Sequence, residues 1–282
     1  MAAGNTFVGG RDPWLSRLGN LRNVVRQELV TRQLRAHLSD PPLHVLDVGA
    51  GQGTQAHRLA ADGHAVTAVE PDPGMRDAFT QAAERLPAEA RDRVRLLAAD
   101  VAALESVTSP AAYDVVLCHG VLMYLPAAAP TVTALASRVA PGGLLSLVAR
   151  NGDAMAWRPA LRRDWAATLA LLDEVDAARA ECRDAVYRNE LGVDARADTV
   201  SALAAACSDA GLEVEQWYGV RVASDGVPVD EPAPEEADLA ALLDVEERLG
   251  RTDPYRWVAT LVHLVARRPR GAGDGGRITS GH

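Results

Sequence analysis

No lysine occurs among the 29 basic residues of this 282-residue chain. A P-loop places a lysine against nucleotide phosphates, so a phosphate site of that kind is not expected. Cysteine is almost as scarce. Cys118, Cys182 and Cys207 are odd in number, scattered and without C-x-x-C spacing. They argue against a disulfide framework and a zinc site, no metal is expected, and a cytoplasmic setting fits. Aromatic residues make up only 4% of the chain, too few for a base-stacking platform. No apolar run approaches the roughly 18 residues of a membrane helix, and no basic segment leads into an apolar one at the start, so neither membrane insertion nor export is expected. Positive charge is also short. A net charge of −9 and a pI near 5.3 argue against a broad grip on nucleic acid, DNA included, while leaving room for a local basic patch.

What is present is a globular composition, 48% hydrophobic, long enough for one large domain or a domain with an embedded cap. The chain is organised around residues 43–70. An apolar strand from His44 to Val48 breaks into a glycine turn, a helix of about ten residues follows, Gly63 closes it, and a second apolar strand ends on Glu70 and Pro71. Gly49, Gly51 and Gly53 stand at alternate positions, with Ala50 between the first two and Asp47 two residues upstream. Residues without a Cβ let a ligand lie against the main chain or let the chain take positive φ. A dinucleotide fingerprint wants its third glycine at position 54, which is Thr54, so that reading weakens. A carboxylate at Glu70 is a bidentate acceptor suited to a diol.

The pattern D-x-G-x-G-x-G, with an acid ending the next strand, closely resembles class I S-adenosylmethionine-dependent methyltransferases. The resemblance implies an α/β, Rossmann-like class I methyltransferase fold with S-adenosylmethionine as cofactor. It implies that Asp47, Gly49, Ala50, Gly51 and Gly53 carry the methionyl-ribose part and that Glu70, followed by Pro71, accepts from both ribose hydroxyls. Asp100 and Val101 would then lie beside the adenine. Asp100 also reads as a helix N-cap, and the two readings do not conflict.

Along the chain, Asp12-Pro13 opens a helical pattern that Gly19-Asn20 splits, the longer piece running from Leu21 to Leu38. Its other face carries Arg17, Arg22, Arg26, Arg32 and Arg35, either a solvated face or a site for an anion. A helix from Asp72-Pro73 to about Leu86 and strands at 94–99 and 113–118 come next, the last delivering His119 and Gly120 to the carboxyl edge, where open parallel sheets gather ligands. A helix around 132–139 and the turn Pro141-Gly142-Gly143 lead to a fifth strand, Leu144 to Ala149. Residues 150–198 read as a helical cap insertion bearing Trp157, Arg158, Arg162, Arg163 and Trp165. A helix at 199–210, a strand at 213–222, a helix from Ala237 to Leu249 closed by Gly250, and a strand from Trp257 to Ala266 complete a seven-stranded, mostly parallel sheet with one antiparallel member. The expected organisation is an N-terminal helical lid (1–38), a cofactor-binding core (39–149), the cap (150–198), the C-terminal part of the core sheet (199–268) and a disordered tail (269–282).

A narrower resemblance spans roughly Leu18 to Pro269. Leu21-Arg22, Val45 to Gly53, Cys118 to Leu122, Pro141 to Leu147, Asp194 to Asp198, Gly219 to Val222 and Asp253 to Tyr255 are similar to bacterial enzymes that methylate the carboxyl group of transfer RNA 5-carboxymethoxyuridine. This resemblance implies that Arg22 and His119 join the cofactor site. Two departures, Ala223-Ser224 for an aromatic and a histidine and Met123-Tyr124 for Glu-Trp, fall where the acceptor would lie. The candidate acceptor contacts are Tyr124, Arg158, Arg196 and Arg221, and the partner is a transfer RNA or a small-molecule carboxylate. An ionised carboxylate acceptor needs no base. His119 is the candidate base for a hydroxyl or amine, or else a hydrogen-bonding wall of the methionyl pocket. A cofactor-binding module without catalysis and an O- or N-methyltransferase of small molecules are the other function classes.

Overall fold

The computed structural model describes residues 9–270. Residues 1–8 of the expected lid and residues 271–282 of the expected disordered tail lie outside the described residues. Helix α1 (Arg11–Ser16) starts after Gly10 rather than at Asp12. Helix α2 (Leu21–Arg35) is capped by Asn20, whose side chain accepts from the Asn23 amide at 2.9 Å, and it ends three residues short of Leu38. Strand β1 (His44–Val48), helix α3 (Thr54–Ala61), strand β2 (Ala65–Val69), helices α4 (Pro73–Ala83) and α5 (Ala88–Arg91), and strand β3 (Val94–Leu97) form the first half of the sheet with its crossovers. Asp72 caps α4 by accepting from the Met75 amide at 2.8 Å, with Pro73 at the first helical position.

The second half contains helix α6 (Leu104–Val107), strand β4 (Tyr113–His119), helix α7 (Ala128–Ala136), strand β5 (Val139–Arg150), helices α8 (Trp157–Leu161) and α9 (Trp165–Ala180), and the hairpin β6 (Ala185–Arg188) and β7 (Asp194–Ala197). Helix α10 (Val200–Asp209), strand β8 (Glu213–Val220), helix α11 (Glu236–Arg251) and strand β9 (Leu261–Arg267) follow. The seven-stranded sheet has the order β3-β2-β1-β4-β5-β9-β8, and β9 runs antiparallel to both neighbours. Continuous apolar strands are buried on both faces, as a helix-covered parallel sheet requires. Leu46, Val116 and Leu147 pack on one side with Leu135 and Leu203, while Val45, Val115 and Leu117 pack on the other with Leu34 and Leu59. Leu21, Val25 and Leu29 of α2 pack against Val148, Val220 and Leu261, which fixes that helix over the carboxyl edge.

Four expectations need correction. Pro141-Gly142-Gly143 is not a turn before β5 but an irregularity within it, where the register with β4 shifts between Tyr113 and Val115. Gly250 does not close a helix but lies inside α11, where any Cβ would overlap the Gly219 carbonyl, so the glycine lets α11 lie directly on β8. The segment 150–198 is not helical throughout, because the β6–β7 hairpin ends it. Four-residue strands alternate only twice, too briefly to show a period of two. Trp257 also precedes the last strand, in a short 3₁₀ turn at Tyr255–Val258. Among the described residues no helix is long and apolar enough to cross a membrane.

Candidate active site

The carboxyl ends of β1, β2, β4, β5 and β8 open onto a cavity of about 700 Å³. At its floor, Gly49 and Gly51 have φ of 72° and 58°. A Cβ at Gly49 would overlap Val121 beyond β4, so that glycine is required by packing as well as by its turn. Gly51 meets only the Met75 methyl, at 3.2 Å, and leaves its backbone facing the cavity. Gly53 is different. It does not line the cavity, and a Cβ there would come within 2.5 Å of the His57 ring and 2.7 Å of Phe79.

Glu70 ends β2 with its carboxylate buried. Oε2 accepts from the Gly51 amide at 2.8 Å and Oε1 from the Asp72 amide at 2.9 Å, so both oxygens are oriented by backbone and retain lone pairs. Burial raises its pKa, against the pull of those two amides. Asp47 is 4% exposed, and burial, with the nearby Glu70 second, pushes its carboxyl up to about 7. Asp100 accepts from the Ala103 amide at 3.0 Å and caps the following turn, while Asp100, Val101, Ala50 and Pro71 all line the cavity. Trp14 donates from Nε1 to Gln52 Oε1 at 2.9 Å, laying α1 over the glycine turn.

The opposite side of the cavity is cationic. Arg22, Arg26, Arg150, Arg158 and Arg221 line it, with Tyr124 and Tyr187 between. Arg22 donates through one nitrogen to both oxygens of Glu190, at 3.0 and 2.7 Å, and through the other to the Val227 carbonyl. Glu190, at the tip of the β6–β7 hairpin, also holds Arg162 at 2.8 Å and Arg158 at 3.3 Å. Asp225 pairs with Arg158, lies 3.1 Å from Arg221 Nε and accepts from the Thr260 hydroxyl at 2.5 Å. Burial works to raise the Asp225 carboxyl, but Arg221, Arg158 and Thr260 outweigh it and hold it at about 2. Arg221 sits just past β8 in the left-handed region, φ 62°, a conformation that costs an arginine energy and turns it toward the cavity edge. Glu246 of α11 fixes that bend by accepting from the amides of Val222, Ala223 and Ser224 at 2.7–3.0 Å.

Arg26 and Arg150 have no carboxylate within 4 Å among the described residues. Arg26 donates to the His119 carbonyl, at 3.3 Å, and stands over the Trp14 ring. Arg150 donates to the carbonyls of Thr260 and Met155, faces the Tyr187 ring at 5.5 Å and leaves Nε without a partner. Burial lowers both guanidinium groups to about 10, and both stay charged at neutral pH.

Arg196 is not at the cavity. It donates to Asp184 at 2.8 Å, to Asp198, and to the carbonyls of Leu122 and Leu125, so it pins the hairpin to the loop after β4. The expected acceptor contact is a structural clamp because every donor group is used inside the protein. Arg150, Glu190 and Asp225 were not singled out by sequence reasoning, and Arg26 was named only as one of five arginines on a helix face. The position of Arg150 at the last residue of β5, on the ligand edge of a parallel sheet, was the available signal. His119 lines the cavity, and its Nε2 lies 2.8 Å from Ser146 Oγ. Cys118 is buried packing whose thiol is pushed up by that burial. No group of three His, Cys, Asp or Glu side chains among the described residues is arranged to hold a metal.

Residues 46–145 match the family model described as a methyltransferase domain. The transfer RNA 5-carboxymethoxyuridine methyltransferase of Escherichia coli strain K12 is 27% identical over 253 residues, covering 89% of this chain and 90% of that one. A ubiquinone biosynthesis O-methyltransferase of Rickettsia canadensis is 29% identical over 123 residues, 43% of this chain and 49% of that one. Among solved structures, the Burkholderia thailandensis 1,6-didemethyltoxoflavin-N1-methyltransferase, bound to its substrate and S-adenosylhomocysteine, aligns with a TM-score of 0.55 at 20% identity, over 94% of this chain and 84% of that one. The magnesium protoporphyrin IX methyltransferase of Synechocystis PCC 6803, with bound S-adenosylhomocysteine, gives a TM-score of 0.58 at 16% identity, over 94% and 97%. With the glycine turn and its acid at the carboxyl edge of this sheet, the chain is a class I S-adenosylmethionine-dependent methyltransferase.

Proposed function

We propose that the enzyme methylates an anionic acceptor, a carboxylate such as that of 5-carboxymethoxyuridine in transfer RNA. The observation that carries this reading is a pair of guanidinium groups, the half-buried Arg26 and the buried Arg150, lining the cavity with no carboxylate within 4 Å among the described residues. An unpaired buried charge is expensive, and a site that keeps one beside a second, half-buried one suits an anion from outside. Planar guanidinium groups hold carboxylates bidentately, which orients the oxygen that must react.

In this reading Glu70 takes the ribose hydroxyls, the Gly49–Gly51 backbone lies along the cofactor, Asp100 and Val101 bound its adenine end, and Asp47, Arg22 and His119 surround its methionyl end. The lone pairs left on Glu70 and the open backbone of Gly51 fit such a ligand. When bound, S-adenosylmethionine supplies an electrophilic methyl group on a positively charged sulfur. The chain's own part is to align a carboxylate oxygen between Arg150, Arg158 and Arg221, to keep water out under α2 and the 150–198 cap, and to leave the acceptor unprotonated beside arginines. No general base is needed, which agrees with burial making His119 a weak base.

Transfer RNA is favoured as the source of the carboxylate by the likeness along 89% of the chain to the carboxymethoxyuridine enzyme. A small-molecule acceptor is the second reading, favoured by the net charge of −9. Incubating the purified protein with cofactor and total transfer RNA, then digesting to nucleosides, should give a new methyl ester that mild alkali removes. Methylation of small carboxylic acids with none on transfer RNA would replace the first reading by the second.

A further inference from the structure

Four side chains from four elements make one buried hydrogen-bonded file behind the cavity. His119 Nε2 of β4 lies 2.8 Å from Ser146 Oγ of β5, Ser146 Oγ lies 2.8 Å from His263 Nε2 of β9, and His263 Nδ1 lies 2.7 Å from Gln33 Oε1 of α2. Gln33, Ser146 and His263 have no exposed surface, so each proton must sit between these groups. The Gln33 oxygen can only accept, which places the proton of His263 on Nδ1. A neutral His263 then has a bare Nε2, and that atom takes the single hydroxyl hydrogen of Ser146. The Ser146 oxygen in turn accepts from His119 Nε2–H. What remains on His119 is an unprotonated Nδ1, and this is the atom left without a partner among the described residues.

We propose that Ser146, His263 and Gln33 are positioning residues that lock His119 as the Nε2–H tautomer, leaving a bare, buried Nδ1 on a side chain that lines the cavity. A lone pair there suits a ligand that is positively charged or donates hydrogen bonds, as the ammonium end of the cofactor does. That half of the inference rests on the cofactor placement given above. Burial, with His263 and Arg26 adding to it, holds His119 well below the usual imidazole range, and burial lowers His263 to about 3, so neither ring charges at neutral pH.

Nitrogen-15 spectra of the ring nitrogens in the full ligand-free chain, with His119 assigned through His119→Asn, read the tautomer directly. The expected result is protonated Nε2 and bare Nδ1, giving way to a mixture in Ser146→Ala and in Gln33→Met. A wild-type His119 protonated on Nδ1, as a reversed Gln33 amide would produce, overturns the lock, and so does an unchanged tautomer in Ser146→Ala. Calorimetric titration with S-adenosylhomocysteine tests the second half. Ser146→Ala should weaken binding about tenfold, a hydrogen bond to a charged group. A shifted tautomer with unchanged affinity overturns the contact with the cofactor. Failure of the wild-type protein to bind S-adenosylhomocysteine at all would instead sink the cofactor placement while leaving the tautomer result to stand.

Discussion

Asp47 and Glu70 are two buried carboxylates at strand ends that line the cavity. The raised pKa of Asp47 makes a signed prediction. A carboxyl whose folded pKa lies above its unfolded value of about 4 contributes stability that is complete below that value and is lost as pH rises through about 7. Thermal melts of the ligand-free protein between pH 4 and 8 should therefore fall more steeply with pH in the wild type than in Asp47→Asn. Parallel curves would show that Asp47 ionises normally. Glu70→Ala should cost about 1–3 kcal/mol of cofactor binding, by leaving ligand hydroxyls unpaired and the Gly51 amide without its acceptor. Gly51→Val should obstruct the site through strain at φ 58° and contact with Met75 while the domain stays folded. Calorimetric titration of both variants checks this pair, and unchanged affinity in both would place the cofactor elsewhere.

Much of this was legible in single residues and some was not. The glycine turn and Glu70 were readable because a short stretch carries them with fixed spacing, and His119 because it ends an apolar strand at the carboxyl edge. Arg196 was misread because nothing in its sequence says that Asp184, Asp198 and two carbonyls will use up its donors. Arg26 was readable only as one arginine on a helix face, since its burial depends on α1 folding across it.

Among the elements, the succession of strands and helices was legible because apolar runs alternate with capped helices, and the antiparallel last strand followed from its place after a helix. The β6–β7 hairpin was not, although it carries Glu190 to Arg22 and so ties the 150–198 segment to α2. That tie makes the two segments one cover in the account proposed here. Hydrogen exchange should slow in α2 and in the β6–β7 hairpin when S-adenosylhomocysteine is added. Slowing confined to residues 49–70 would remove both segments from the cover.

For the molecule as a whole, the proposed anionic acceptor is met locally, by arginines gathered at one cavity of an acidic protein. If the carboxylate arrives on transfer RNA, binding should fall with salt at a log–log slope approaching one per phosphate neutralised, on the order of a few in total. A slope near one would mean that the carboxylate is bound without its polynucleotide. The central claim, that the cavity's arginines select a carboxylate, is tested most directly by comparing methyl transfer to 5-carboxymethoxyuridine in transfer RNA with transfer to the same nucleoside as its neutral amide. The account predicts that the carboxylate is methylated and the amide rejected by roughly 100-fold or more, because the amide leaves buried cations unpaired. Equal use of the two acceptors would contradict it.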